Sequence, residues 1–265
     1  MAKSFHVLGD PIAHSLSPKI HSAAYKVLGL DWSYSAVQVS KGNLESFLAG
    51  SLASGYSITM PLKYEAAGLA ERRDEIVALT DVANTLYRTS NGFIAYNTDV
   101  FGISKALESA LKKPIEVVAL LGAGATAKSA MVAIAKAKPQ ALFDIYVRDL
   151  NRAKEITALA GELEVFQSVH LLDEFSNFQD LTVNTLPLAA SDSLPTHVQK
   201  GYLLNANYAG GDTSLVAMFD GDRIVSGQTM LVWQALQQIR IFMGLEPNQT
   251  LPDESAVVTA MFEAL

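Results

Sequence analysis

The sequence contains no cysteine among its 265 residues. A chain without cysteine forms no disulfide, offers no thiolate nucleophile and binds no zinc through thiolate ligands. This absence excludes disulfide-stabilised secreted scaffolds, cysteine-dependent enzymes and zinc-ribbon proteins. We also predict no bound metal.

Long apolar runs and an excess of positive charge are lacking as well. No uninterrupted apolar run reaches the roughly 18 residues that a membrane helix requires, and the N-terminal "MAKSFHVLGD" becomes polar too early for a signal peptide. Lys and Arg number 20 against 27 Asp and Glu, a net charge of −7, whereas nucleic-acid binders normally carry a basic surface. We therefore predict a cytoplasmic protein with no membrane or nucleic-acid partner.

The sequence does contain alternating strand and helix patterns, and 49% of its residues are hydrophobic. In the first hundred residues a helix is predicted to follow the first strand, with Ser17 as its N-cap and Gly29 at its end. One charged helix is predicted over Tyr64–Thr80, followed by a hairpin that turns at Asn91-Gly92.

A glycine-containing turn interrupts the pattern in the middle of the chain. "VVALLGAGATAKSA" is an apolar strand, a turn with Gly122 and Gly124, and a helix rich in small residues. In such a turn the first glycine allows a tight bend, the second lets a pyrophosphate approach the backbone, and Ala127 is a permitted replacement for the third. A tight turn with no ligand is the alternative interpretation. The strand before and the helix after it favour dinucleotide binding.

The order of elements predicts the α/β class with two domains. We expect an N-terminal α/β substrate domain over residues 1–103, to which C-terminal helices over residues 227–265 return. A Rossmann-like, doubly wound dinucleotide-binding domain is expected over residues 104–226.

Two neighbouring charges follow the second strand of this domain, where the adenosine ribose is expected. Arg148 would pair with a 2′-phosphate and favours NADP, whereas Asp149 would accept a hydrogen bond from a free ribose hydroxyl and favours NAD. Either side chain could also be a solvated loop charge. The residues alone leave the choice of cofactor open.

Three polar segments of the first domain have an unusual composition for simple turns. "SITMPLK" places Lys63 after a strand, "DVANTL" contains Asn84, and "YNTDVFG" places Asp99 where a strand gives way to a helix. Taken singly, Lys63 is interpreted as a surface lysine, Asn84 as a turn residue and Asp99 as an N-cap. Together, a lysine beside an aspartate can manage the proton that moves when an alcohol carbon loses hydride, so the set favours a hydride-transfer enzyme.

These segments resemble the shikimate dehydrogenase family over almost the whole chain. "GDPIAHSLSPKIHSAAY", "GYSITMPLK", "VANTL", "YNTDVFG", "GAGATAKSA" and "GQTMLVWQALQQ" follow the order of that family's motifs. The resemblance implies reversible, NADP-linked reduction of 3-dehydroshikimate to shikimate, a small-molecule substrate on the route to aromatic amino acids.

The resemblance also implies roles for individual residues. Lys63 and Asp99 would be the catalytic pair. The substrate carboxylate would be held by Ser15 and Ser17, with Tyr208 nearby, and the ring hydroxyls by Thr59, Asn84 and Gln234. The cofactor would be held by Gly122, Ala123, Gly124, Ala125, Thr126 and Arg148.

The sequence departs from the family pattern at a few of these positions. Ser57 stands where most members have Asn, Val147 and Asp149 flank Arg148 in place of the usual Asn and Thr or Ser, and Asn205 replaces a common Asp. These departures keep two alternatives open: an NAD-preferring quinate/shikimate dehydrogenase, and a non-catalytic module that binds dinucleotide or shikimate. We expect a monomer or a homodimer.

Overall fold

The computed structural model describes residues 3–175, 179–191, 194, 200–207 and 214–265. The chain divides into two compact units. Unit 1 comprises Met1–Gly102 and Leu231–Leu265, and unit 2 comprises Ile103–Met230.

Unit 1 is built on a mixed sheet. Its strands are β1 (Lys3–Gly9), β2 (Trp32–Gln38), β3 (Gly55–Ile58), β4 (Arg72–Arg73), β5 (Thr85–Thr89) and β6 (Gly92–Tyr96). Its helices are α1 (Ser17–Val27), α2 (Leu44–Gly50), α3 (Lys63–Leu69), α4 (Glu75–Thr80) and the start of α5 (Asp99–Ala110). The strand order is β2-β1-β3-β5-β6-β4, with β1 parallel to both β2 and β3 and with β5 antiparallel to both β3 and β6.

Unit 2 is built on a parallel sheet. Its strands are β7 (Val117–Leu121), β8 (Leu142–Val147), β9 (Gln167–Leu171), β10 (Leu181–Asn184), β11 (Tyr202–Asn205) and β12 (Ile224–Ser226). The helices from here to the end of the chain are α6 (Ala125–Ala137), α7 (Lys154–Glu162), α8 (Leu188–Ser191), α9 (Gly227–Phe242) and α10 (Glu254–Glu263). Helix α10 and the part of α9 from Leu231 onward supply the C-terminal part of unit 1.

The strand order of unit 2 is that of a doubly wound dinucleotide-binding fold. The order β12-β11-β10-β7-β8-β9 becomes 6-5-4-1-2-3 when counted from β7, which is the Rossmann order. The order of strands therefore reverses between β7 and β10, where Leu121 pairs with Asn184. In such sheets ligands bind at the carboxyl ends of the strands at this switch point. The predicted α/β class is confirmed.

Aromatic packing explains why most of α9 belongs to unit 1. Phe242 of α9 stacks on Phe5 of β1 with ring centroids 4.4 Å apart, and Phe5 also packs against Trp32 at 5.0 Å. A Cβ on Gly55 would lie only 2.8 Å from the Phe242 ring, so α9 lies directly against β3. Burial of such rings is a large stabilising contribution.

The ends of α1 differ in part from the prediction. Ser17 is the first residue of the helix, and Leu16 occupies the N-cap position with no side-chain cap. The predicted end is confirmed: Gly29 has φ +64°, its N–H bonds to the carbonyl of Lys26, and the N–H of Leu30 bonds to that of Tyr25. This is a Schellman motif, in which glycine avoids the cost of a left-handed conformation.

Two other local predictions were wrong in detail. The helix predicted over Tyr64–Thr80 is two helices, α3 and α4, separated by the short strand β4 that pairs with β6. The hairpin of β5 and β6 turns at Ser90 and Asn91, because Thr89 pairs with Gly92. Within the described part of the chain, no helix is both long and apolar enough to cross a membrane.

Candidate active site

A buried ion pair joins the first residues of two helices in unit 1. Lys63 begins α3 and Asp99 begins α5, and Lys63 Nζ lies 2.5 Å from Asp99 Oδ2. Their side chains are only 12% and 6% exposed, so water screens the pair weakly. Asp99 is not an N-cap, because it is the first residue of α5 and not the residue before it, and its carboxylate bonds to Lys63.

Asn84 and Gln234 complete the same cluster. The Nδ2 group of Asn84 lies 2.8 Å from Asp99 Oδ1 and 3.3 Å from Gln234 Oε1. Both residues are buried. The structure thus brings together four residues from motifs that lie far apart along the chain: Lys63, Asn84, Asp99 and Gln234. Asp99 accepts a hydrogen bond on each carboxylate oxygen, and both donors hold it in one orientation.

The loop that follows β1 is joined to the loop that follows β3. Asp10 N–H donates to the carbonyl of Met60 at 3.0 Å, and Thr59 N–H donates to that of Leu8 at 2.9 Å. A Cβ on Gly9 would lie 2.4 Å from Thr59 Cγ2, so only glycine allows this approach. Cis peptide bonds precede Pro11 and Pro61 in these loops.

The two serines of the first loop lie at the start of α1. Ser17 is buried, and its N–H lies 3.4 Å from Ser15 Oγ. Pro18 has no N–H, and the N–H of Lys19 donates to the carbonyl of Leu16 at 3.1 Å. A carboxylate at this end of α1 would therefore be met by the hydroxyls of Ser15 and Ser17, and their role in substrate binding stays a prediction.

The hydroxyl of Ser57, the first departure from the family pattern, forms hydrogen bonds with two neighbouring side chains. The Tyr34 hydroxyl donates to Ser57 Oγ at 2.5 Å, and Ser57 Oγ lies 2.7 Å from Gln238 Oε1. The sequence analysis did not identify Tyr34 or Gln238. Gln238 could have been found, since it lies four residues after Gln234 on α9 and such residues share a helix face.

The glycine turn of unit 2 lies at the switch point of its sheet. Gly122 has φ +104°, and its N–H donates to the carbonyl of Tyr146. A Cβ there would lie 2.6 Å from Thr185 Oγ1, whereas a Cβ on Gly124 would meet nothing within 4 Å. Helix α6 begins directly after Gly124. Open space at the N-terminus of a helix, toward which its first N–H groups point, fits the pyrophosphate of a dinucleotide.

The structure gives different surroundings to the two charged residues that follow β8, Arg148 and Asp149. Asp149 caps a short 3₁₀ helix over Leu150–Ala153, and its Oδ1 accepts from the N–H and the Nδ2 group of Asn151 at 3.0 and 3.1 Å. One oxygen of the aspartate is thus committed to the backbone. Arg148 directly follows the strand and is exposed, so its guanidinium can meet a phosphate.

Asn205 and Tyr208 complete the predicted positions. Asn205 ends β11, is buried, and accepts from Asn184 Nδ2 at 3.0 Å. Tyr208 lies outside the described residues. Within the described ranges, no group of three or more His, Asp or Glu side chains is arranged to hold a metal.

Comparisons with known proteins identify relatives of the chain over its whole length. Residues 7–86 match the family described as the shikimate dehydrogenase substrate binding domain. The shikimate dehydrogenase (NADP(+)) of Bacillus subtilis is 31% identical over 265 residues, covering 94% of each chain. The chain belongs to the shikimate dehydrogenase family.

Solved structures of shikimate dehydrogenases have the same fold. That of Mycobacterium tuberculosis superposes with a TM-score of 0.83 at 31% identity, covering 98% of this chain and 99% of the other. The Thermus thermophilus enzyme, solved in complex with NADP(H) and shikimate, gives a TM-score of 0.81 at 27% identity, covering 99% and 100%. The family resemblance predicted from the sequence motifs is confirmed.

Proposed function

We propose that the protein is an NADP-dependent shikimate dehydrogenase that reversibly reduces 3-dehydroshikimate to shikimate. The buried Lys63–Asp99 pair, hydrogen-bonded to Asn84, is the observation that carries the proposal. Relatives along the full chain that are named shikimate dehydrogenase (NADP(+)) support it.

In the reaction, NADPH supplies a hydride to the ketone carbon and the oxygen on that carbon gains a proton. We assign the proton to Lys63 Nζ, which donates it to the oxygen during reduction and accepts it during oxidation. Asp99 holds the ammonium group and stabilises its charge. Ser15 and Ser17, with Tyr208, bind the carboxylate of the substrate, and Thr59, Asn84 and Gln234 bind its ring hydroxyls.

We assign cofactor binding to unit 2. Gly122 and Gly124 give access to the backbone. The N–H groups of residues 123–126, in the turn and at the start of α6, receive the pyrophosphate, and Arg148 pairs with the 2′-phosphate. The capping role of Asp149 supports NADP over NAD, because a carboxylate oxygen used by Asn151 is a poorer acceptor for the ribose. In the same proposal, unit 1 is the substrate domain.

We also propose that the enzyme acts in the cytoplasm, as a monomer or homodimer, without nucleic-acid partners. The net charge of −7 supports the last point. Sedimentation of the purified protein gives the oligomeric state.

The decisive experiment is a matrix of shikimate and quinate against NADP and NAD, followed by absorbance of the reduced nicotinamide. We expect the highest kcat/KM for shikimate with NADP. A preference for quinate with NAD, or binding of both ligands without turnover, would establish one of the alternatives and overturn the proposal.

Replacing Lys63 tests the chemistry within that assay. Lys63→Ala removes the proton-transfer group, so we expect kcat to fall by on the order of 10²–10⁴-fold. Lys63→Arg is the matched control: it keeps a positive charge beside Asp99 but releases no proton near neutral pH, and it should be similarly inactive. Wild-type kcat in Lys63→Ala would contradict the assignment.

A further inference from the structure

Gln238 is buried beneath the candidate active site and uses both ends of its amide. It is only 1% exposed. Its Nε2 group donates to the backbone carbonyl of Asn84 at 3.2 Å and to Thr85 Oγ1 at 2.9 Å. Its Oε1 lies 2.7 Å from Ser57 Oγ and 3.3 Å from His21 Nε2.

The direction of each hydrogen bond follows from one backbone group. A carbonyl only accepts, so the side of the Gln238 amide that faces the Asn84 carbonyl must be the NH₂. Oε1 therefore faces Ser57 and His21, and both must donate to it. Since Ser57 has given its hydrogen to Gln238, it accepts from the Tyr34 hydroxyl.

The same logic continues toward Asp99. Thr85 Oγ1 accepts from Gln238, so it gives its own hydrogen to Asn84 Oδ1 at 2.9 Å. The N–H of Thr98 also donates to Asn84 Oδ1, at 2.8 Å. With its oxygen held by two donors, Asn84 must present Nδ2 to Asp99 Oδ1. A flipped Asn84 amide would place a carbonyl oxygen against the carboxylate.

We propose that Gln238 is a positioning residue which, through Thr85, reinforces the orientation that the Thr98 N–H gives to the Asn84 amide, and so helps to hold Asp99 and Lys63 for proton transfer. This inference rests on the proposed function. It also gives a role to Ser57, which departs from the family pattern. Its hydroxyl is part of the positioning network, because its hydrogen and a lone pair are used by Gln238 and Tyr34.

The chain offers a matched pair of variants on α9. Gln238→Met removes the amide at similar volume, and we expect kcat/KM for shikimate to fall about tenfold, the cost of leaving buried partners unsatisfied. KM for NADP should be unchanged. Gln237→Met is the control, because Gln237 is also buried but its Nε2 bonds to the carbonyl of Pro247. It should keep wild-type kinetics.

A double-mutant cycle distinguishes positioning from general support of the fold. If Gln238 acts through Asn84, Gln238→Met causes little further loss of kcat/KM in an Asn84→Ala background, whereas a structural defect lowers activity equally in both. Thr85→Val should reproduce the loss and Thr85→Ser, which restores the hydroxyl, should reverse it. This second pair decides the outcome if Gln238→Met fails to fold.

The outcomes distinguish a failure of the inference about Gln238 from a failure of the proposed function. A wild-type protein that oxidises no shikimate overturns the proposed function and the inference with it. An active wild type with unchanged Gln238→Met kinetics overturns the inference alone, as does additivity in the cycle or equal activity of Thr85→Val and Thr85→Ser.

Discussion

The chemistry assigned to unit 1 depends on two side chains of opposite charge, Lys63 and Asp99, whose attraction offsets the cost of removing each of them from water. Burying either Lys63 or Asp99 alone would be costly, and a partner at 2.5 Å offsets that cost. Asn84 adds a second hydrogen bond to the carboxylate. The pair is therefore held in one geometry before any substrate binds, which is the arrangement that proton transfer requires.

At the residue scale, the proposed contact between Arg148 and the 2′-phosphate of NADP can be tested by substitution. Arg148→Ala removes the proposed partner of the 2′-phosphate, so kcat/KM with NADP should fall on the order of 10–100-fold, the range of a charge-assisted hydrogen bond. The rate with NAD, which lacks that phosphate, should remain the same and serves as the internal control. Equal losses with both cofactors would show that Arg148 does not bind the phosphate.

The sequence identifies residues of the candidate site where local motifs carry them, and it does not identify residues that depend on distant packing. Lys63, Asn84 and Asp99 stand in short motifs at strand ends. The contact between Asn84 and Gln238 spans 154 residues, and it exists only because α9 packs on the strands of unit 1. The sequence alone also left the choice between NADP and NAD open, because Arg148 and Asp149 favour different cofactors and the capping role of Asp149 depends on a 3₁₀ turn.

At the scale of elements, the glycine turn joins β7 to α6 under two different constraints. Gly122 has a backbone conformation that L side chains rarely adopt and has Thr185 beside it. Gly124 has φ −85° and ψ −170°, which any residue adopts, and faces open space. The fold requires Gly122, and in the proposed function the cofactor requires Gly124.

Alanine substitutions separate these two needs. Gly122→Ala should lower the free energy of unfolding by about 1–3 kcal/mol or more, through backbone strain and the contact with Thr185. Gly124→Ala should cost at most about 1 kcal/mol, the difference between glycine and alanine at an N-cap, yet weaken NADP binding. Urea unfolding and NADP titration of both variants provide the test. Unimpaired NADP binding in Gly124→Ala would contradict the assigned cofactor turn.

The elements predicted wrongly show where local pattern is insufficient. The sequence of residues 64–80 has helical character throughout, but Arg72 and Arg73 pair with Ile94 and Ala95 of β6 and divide it. This pairing is tertiary, so no local periodicity reports it. The doubly wound sheet was predictable, because an apolar strand, a glycine turn and a helix are contiguous in the sequence.

At the scale of the whole molecule, one buried histidine links folding to pH. His21 lies against Tyr34, Tyr25, Phe242 and Gln238. Desolvation by this uncharged environment lowers its pKa from 6.5 to about 3. The imidazole is therefore neutral in the folded protein at neutral pH, consistent with its donating Nε2–H to Gln238.

The stability of the protein should fall as the pH is lowered. Below pH 6.5 the unfolded chain binds a proton at His21 and the folded protein does not until about pH 3. The free energy of unfolding should therefore decrease by about 1.4 kcal/mol per pH unit in this window, or about 2 kcal/mol at pH 5. Urea unfolding of wild type and His21→Gln at pH 7.5 and 5 measures the difference.

The His21→Gln variant isolates this contribution. Asp74, whose pKa is raised by burial, acts in the opposite direction, because the folded protein then binds its proton more readily. That effect is common to both proteins and cancels in the comparison. A decline with pH that is parallel in wild type and variant would rule out His21 as its source.

The close approach of Gly9 to Thr59 and Met60 has a consequence for changing what the enzyme accepts. The stretch that presents Ser15 and Ser17 and the stretch that presents Thr59 and Lys63 are fastened side by side, so neither can shift without the other. In the proposed site, Ser15 and Ser17 bind the substrate carboxylate and Lys63 meets the oxygen on the reacting carbon, so the distance between these two points is fixed. Selection for longer or shorter ring acids would therefore have to change the length of the side chains at Ser15 and Ser17, or change both loops together.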